Sequence, residues 1–121
     1  MTPHRAIIVD SLNSLDLDAS QPAIYDRPVG LRLLYQDPES GAEHYLVRYS
    51  AGVKARRHRH SAAHTIVVLE GRLEANGEVV GPGAYCHFPA GQAMRHAPAD
   101  DESRLLITIF HGPFDVQVLD E

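Results

Sequence analysis

Residues 52–71 read GVKARRHRHSAAHTIVVLEG, and the order of residues in that stretch decides the fold. Three histidines, His58, His60 and His64, lead into the apolar, β-branched run from Thr65 to Leu69, and a glycine closes each end. His58 and His60 are two apart, so on an extended strand their side chains project from one face and Arg57 and Arg59 from the other. His64 follows the small-residue connection Ser61-Ala62-Ala63 and opens a run with the length and branching of a strand. A histidine pair ending one strand and a third opening the next puts three imidazoles around one point. Neutral imidazole suits Zn, Cu, Fe, Mn or Ni sites. The stretch therefore predicts a transition-metal site held between β-strands.

On either side, short apolar segments alternate with Gly, Pro and Asp, which is the pattern of an all-β chain. Strands are expected over residues 5–9, 29–36, 44–50, 64–70, 73–75, 84–88, 103–110 and 114–119. The breakers between them are turn formers: Asp37-Pro38-Glu39-Ser40-Gly41, the tight pair Asn76-Gly77, and Gly81-Pro82-Gly83. No window of helical length keeps a helical period; residues 11–18 have room for one turn of helix or for coil. The segments 65–69 and 105–110 are apolar on both faces, which predicts a sandwich or barrel whose outer face is also covered. A homodimer is the expected cover.

At 121 residues the chain is one domain, long enough to bury a core. Within it, residues 1–28 read as an N-terminal strand and coil extension and 29–121 as the barrel. No apolar run approaches the ~18 residues a membrane span needs, and 1–10 lacks the form of a signal peptide, so no membrane partner is expected. Cys86 is the single cysteine, which excludes an internal disulfide and fits a cytoplasmic location. The net charge of −5 argues against nucleic acid as a partner. Lys54, Arg56, Arg57 and Arg59 read as a solvated basic rim around the histidines.

A second element, residues 83–96, reads GAYCHFPAGQAMRH. A strand is stopped at Pro89 and turned at Gly91, and His96 lies where the chain swings back toward the first three histidines. These two stretches resemble the two motifs of the cupins. In the first motif, G-x5-H-x-H-x3,4-E-x6-G, Gly52, His58, His60 and Gly71 stand at the expected intervals, with His64 in the glutamate place. In the second, G-x5-P-x-G-x2-H-x3-N, Gly83, Pro89 and Gly91 match. Met94 occupies the histidine place, His96 follows after what reads as a two-residue insertion, and the closing Asn is absent.

Histidine in the glutamate place is similar to a four-histidine subgroup of single-domain cupins. Residues 36–42, Leu46-Val47-Arg48, Arg95-His96-Ala97-Pro98 and His111-Gly112-Pro113-Phe114 resemble the group containing the anti-sigma factor ChrR, acetylacetone-cleaving dioxygenase and dihydroxyacetophenone dioxygenase. The likeness spans about residues 29–120. It implies an all-β, double-stranded β-helix (jelly-roll) barrel with His58, His60, His64 and His96 as metal ligands. It implies one divalent transition-metal ion per chain, Fe2+ first, with Mn2+, Ni2+ or Zn2+ as alternatives. The implied activity is a non-haem Fe(II)-dependent dioxygenase that cleaves a C–C bond in a small-molecule diketone or hydroxyketone. The alternatives are a non-catalytic metal-binding or sensing module and a metal-dependent isomerase or lyase.

The other chemistry-bearing residues read as structural. Glu70 shares a strand face with His64 but stands about 20 Å further along, too far to be a ligand. His87 alternates away from Cys86 and Phe88 and is assigned to the outer face, and His4, His44 and His111 to the surface or core edge. Cys86 reads as a small buried hydrophobe. Arg48, Tyr49, Phe88, Met94 and Phe110 are the strand neighbours available to line a pocket.

Overall fold

The computed structural model describes residues 6–50, 52–98 and 104–119, with 96–98 described in backbone only. Its strands are β1 (Asp18–Ser20), β2 (Val29–Gln36), β3 (Glu43–Tyr49), β4 (His58–Arg59), β5 (His64–Glu70) and β6 (Leu73–Ala75). They continue with β7 (Glu78–Val80), β8 (Tyr85–Phe88), β9 (His96–Pro98), β10 (Arg104–Phe110) and β11 (Gln117–Val118). One sheet has the order β1-β2-β3-β10-β5-β8. The facing layer is built from β11-β4 and β7-β6-β9. Met94, just ahead of β9, bridges to His58 in β4 and makes those two pieces continuous. All the pairings are antiparallel, and sequence neighbours are often not sheet neighbours, as in a jelly roll.

Strand alternation fills the space between the layers. From the larger sheet, Val47, Ile66, Val68 and Leu106 point inward, and Leu73, Ala75 and Met94 meet them from the other side. These residues are all but inaccessible to water. The sheet's outer face is only partly covered: Leu46 and Leu105 are buried, while Val67, Leu69, Ile107 and Ile109 are half-buried. Ahead of β2, Ile24 and Tyr25 enter the core, and Tyr25 bridges to Ala55. This ties the edge of the larger sheet to the layer that carries β4.

Several expected strands form where they were placed, with β2, β5 and β6 matching at both ends. Asn76 (φ 49°) and Gly77 (φ 88°) make the β6–β7 hairpin, the doubly left-handed turn that Asn-Gly favours. The helical turn within 11–18 is a single 3-10 turn, Leu12–Ser14. The strand expected over 5–9 is a correction. Residues 6–9 are not in a strand, Ile7 and Ile8 are exposed, and residue 5 lies outside the described residues. An apolar run becomes a strand only against a partner with open hydrogen bonds. At this end of the sheet, residues 18–20 take the edge of β2 instead.

Candidate metal centre

His58, His60 and His64 are brought to one place by three separate backbone constraints. His58 lies in β4, paired with Val118 of β11 on one side. On its other side it exchanges both backbone hydrogen bonds with Met94, at 2.9 and 2.8 Å. The carbonyl of His60 accepts from the N–H of Gly91 at 2.8 Å, which fastens the turn after Pro89 beneath the pair. His64 opens β5 between Phe88 of β8 and Phe110 of β10. The three side chains are 0%, 4% and 1% exposed, whereas Arg57 and Arg59 are exposed, as alternation requires. Ring centroids are 4.8 Å apart for His58–His60 and 4.8 Å for His60–His64.

Hydrogen bonding sets the tautomers of two rings. A carbonyl has no proton to give, so the ring nitrogen facing it must carry one. His58 Nδ1–H donates to the carbonyl of Arg56 at 2.8 Å, and His60 Nδ1–H donates to the carbonyl of Asp115 at 2.5 Å. The lone pair of each ring is therefore on Nε2. His60 Nε2 is buried and makes no hydrogen bond among the described residues. Backbone carbonyls on Nδ1 with a lone pair turned inward is the arrangement that orients metal-binding imidazoles.

Electrostatics keeps the rings neutral. Burial pushes His64 down to about 3, with His60 and His58 adding repulsion. Burial also holds His58 and His60 below the ordinary histidine range, partly offset by the carbonyls of Arg56 and Asp115. The surroundings explain the desolvation. His64 stacks on Phe88 at 4.9 Å and 22°, and Phe110 lies 5.4 Å from it and 5.2 Å from His60. Three buried, neutral imidazoles without a carboxylate are a donor set for a borderline divalent ion such as Fe2+, Ni2+ or Zn2+.

His96 stands in β9, its backbone opposite Ala75 of β6; its side chain lies outside the described residues. Among the described residues, no group of three His, Cys, Asp or Glu side chains is already in metal-holding geometry. Met94, in the histidine place of the second motif, is a core residue, 2% exposed.

The remaining histidines and Glu70 stand apart. Glu70 ends β5 and is 3.9 Å from Arg48. His87 and His111 are exposed, and both hydrogen-bond the hydroxyl of Thr65. His44 packs its ring edge against Tyr35, and His4 lies outside the described residues. Burial raises the Cys86 thiol, which keeps it protonated.

The residues that sequence reasoning missed hold His60 from a distance. Asp115 gives its carbonyl to His60, and its carboxylate accepts from the backbone N–H of Ser61 at 2.7 Å and from the Ser61 hydroxyl. Nothing local marks Asp115, which is 55 residues from His60. Beside His60 lies a cavity of about 310 Å³, bounded by Tyr49, Val47, Leu31, Thr108, Phe110 and Phe114 among others. Of the strand neighbours considered for a pocket, Tyr49 and Phe110 line it; Phe88 and Met94 pack elsewhere in the core, and Arg48 faces outward toward Glu70.

The barrel is matched by known proteins. A family model, the ChrR cupin-like domain, matches residues 21–115. A comparison with curated proteins finds no match. Among solved structures, the chain is similar to a cupin-like protein from Thermotoga maritima, with 17% identity and a TM-score of 0.75 over 88% of this chain and 87% of that one. It is similar to an acetylacetone dioxygenase from Acinetobacter johnsonii, with 16% identity and a TM-score of 0.77 over 100% of this chain and 83% of that one. A polyketide cyclase from Streptomyces resistomycificus is 17% identical, with a TM-score of 0.71 over 100% and 87% of the two chains. At these identities the structural likeness shows the fold, and the family model carries the membership: the chain belongs to the ChrR cupin-like domain family.

Proposed function

We propose that this protein binds one divalent transition-metal ion through His58, His60, His64 and His96, and that it is a non-haem Fe(II)-dependent dioxygenase cleaving a C–C bond in a small diketone or hydroxyketone. The observation that carries the metal reading is His60. Its Nδ1 proton is committed to the Asp115 carbonyl, and its Nε2, which carries the lone pair, is buried with no hydrogen bond among the described residues. Support for the substrate class comes from the adjoining cavity and from the fold shared with the Acinetobacter johnsonii acetylacetone dioxygenase.

When bound, the ion supplies Lewis acidity and a template for the substrate's oxygens. This chain's residues do the rest. The Arg56 and Asp115 carbonyls keep the imidazoles in the tautomer that presents Nε2. Phe88, Phe110 and Phe114 exclude water around His60 and His64. With no carboxylate in the proposed ligand set, the ion keeps its full charge and favours an anionic oxygen ligand such as an enolate.

The test is elemental analysis of untagged protein beside His58→Ala and His64→Ala, followed by oxygen uptake with acetylacetone. About one ion per chain, lost in both variants, with uptake only in the Fe-loaded wild type, is the expected result. Metal without oxygen uptake on any diketone would leave a binding or sensing module. Absence of metal in every sample, even after adding Fe(II) or Mn(II), would overturn the reading.

A further inference from the structure

The cavity beside His60 carries chemistry of its own. Its lining contains no Lys, Arg, Asp or Glu among the described residues, so a charged group inside would lose hydration without compensation. All three lining phenols are committed. The Tyr25 and Tyr49 hydroxyls hydrogen-bond each other at 2.5 Å, and Tyr45 donates to Glu43 at 3.2 Å. Of the lining residues nearer the rim, Ser20 is half-buried and Gln21 exposed. Thr108 differs from all of these. It is 5% exposed, faces inward opposite Ile66, lines the cavity, and its hydroxyl has no hydrogen-bond partner among the described residues.

The register places this hydroxyl relative to the histidines. His64 is opposite Phe110, and Ile66 is opposite Thr108, so Thr108 stands one same-face step along β10 from the level of His64. That step is about 7 Å. A cavity of about 150 Å³ is enough to hold benzene, and this one, at about 310 Å³, has room for a two-ring body.

We propose that the cavity holds the uncharged, mainly apolar body, about two rings in size, of a ligand whose head group is at the metal, and that the Thr108 hydroxyl selects ligands bearing a hydrogen-bonding group at the end of that body away from the metal. The proposal rests on the reading above for the ligand's head group at the metal, and on Thr108 and the cavity for the rest of the ligand. A polar group on the ligand at that point pairs the Thr108 hydroxyl, whereas a hydrocarbon displaces water from it and leaves it unpaired. Thr108 is therefore a specificity-determining residue for the end of the ligand away from the metal.

The test is binding of naphthalene, 2-naphthol and the cation 2-naphthylmethylammonium to the protein as isolated, followed by naphthyl fluorescence and with the metal content of each sample measured. Expected are binding of both neutral probes, about five-fold tighter for 2-naphthol, and exclusion of the cation. Thr108→Val, nearly the same shape, should keep naphthalene and lose the 2-naphthol advantage, and Thr108→Ser should restore it. Failure of both neutral probes to bind, tight binding of the cation, or a 2-naphthol advantage that survives Thr108→Val would overturn the proposal. The two readings fail separately: samples that take up no metal even with Fe(II) or Mn(II) added, yet still discriminate the probes, would sink the metal reading alone, and metal-loaded samples that ignore both neutral probes would sink this one alone.

Discussion

His60 and Asp115 are joined twice: the Asp115 carbonyl accepts from His60 Nδ1, and the Asp115 carboxylate holds the backbone and hydroxyl of the next residue, Ser61. The loop after β10 is thereby fastened to the strand end that carries the histidine pair. The carboxylate fixes where the carbonyl stands, and its charge also favours the protonated form of the His60 ring, against the effect of burial. The hydrogen bonds from Ser61 hold it below the usual carboxylate range, which keeps the clamp charged at neutral pH.

Replacing Asp115 with Ala should therefore weaken metal binding more than folding. The expected loss is about 10–100-fold in affinity, the usual size for a partner that orients an imidazole. Asp115→Asn, which keeps an acceptor for Ser61, should recover part of it. Competition of the purified protein against a chelator of known affinity measures both. Equal affinity in wild type and Asp115→Ala would show that the backbone alone fixes His60.

Acid should destabilise the metal-free protein through the same three rings. Their folded values lie below the ordinary 6.5, with His64 at about 3. Between those values and 6.5 the unfolded chain binds more protons than the folded one, so stability rises with pH across that window and falls as pH drops from 6.5 toward 3. Each histidine contributes a slope of up to about 1.4 kcal/mol per pH unit there and none well above 6.5. Urea midpoints at pH 7.5, 6.0 and 5.0 should fall in that order, and His64→Leu should flatten the trend. A midpoint independent of pH would contradict the burial argument.

The centre was legible to different depths. Spacing alone brought His58, His60 and His64 together, because alternation on a strand is a local rule and the apolar run after His64 leaves no other place for it. Strands β2 and β6 were legible because turn formers bound them on both sides, and β5 because its apolar, β-branched run ends at Gly71. Strands β1, β7 and β9 were not. Each has three residues, and each exists because a neighbour offers open hydrogen bonds, which no local pattern reports. The same physics hid Asp115 and misled at residues 6–9, where apolar character stood in for a pairing partner.

Gly71 closes the first motif at φ 75°, and a Cβ there would collide with the side chain of Arg104. Arg104 is itself buried, its Nε donating to the Arg72 carbonyl. The left-handed backbone costs a non-glycine residue about 1–2 kcal/mol before any collision is counted. Gly71→Ala should lose about 2 kcal/mol or more in urea unfolding while leaving metal stoichiometry unchanged in the folded fraction. Gly77→Ala, at φ 88° with nothing within 4 Å, is the control that carries the backbone cost alone. Equal losses in the two would remove Arg104 from the explanation.

Met94 bears on how the proposed fourth ligand would be supplied. It exchanges both backbone hydrogen bonds with His58, and directly opposed residues on antiparallel strands point to the same side. A histidine at 94 would stand beside His58, where the second motif places one, whereas this chain carries its histidine two residues later. If His96 is the fourth ligand, His96→Ala should lower metal occupancy and Met94→His in that background should restore it. Met94→Ala should instead cost about 2–5 kcal/mol in stability, the price of an emptied core site, with His96 still in place to hold the ion. Elemental analysis and urea unfolding of the four proteins separate these effects. Full occupancy in His96→Ala would assign the ion to His58, His60 and His64 alone.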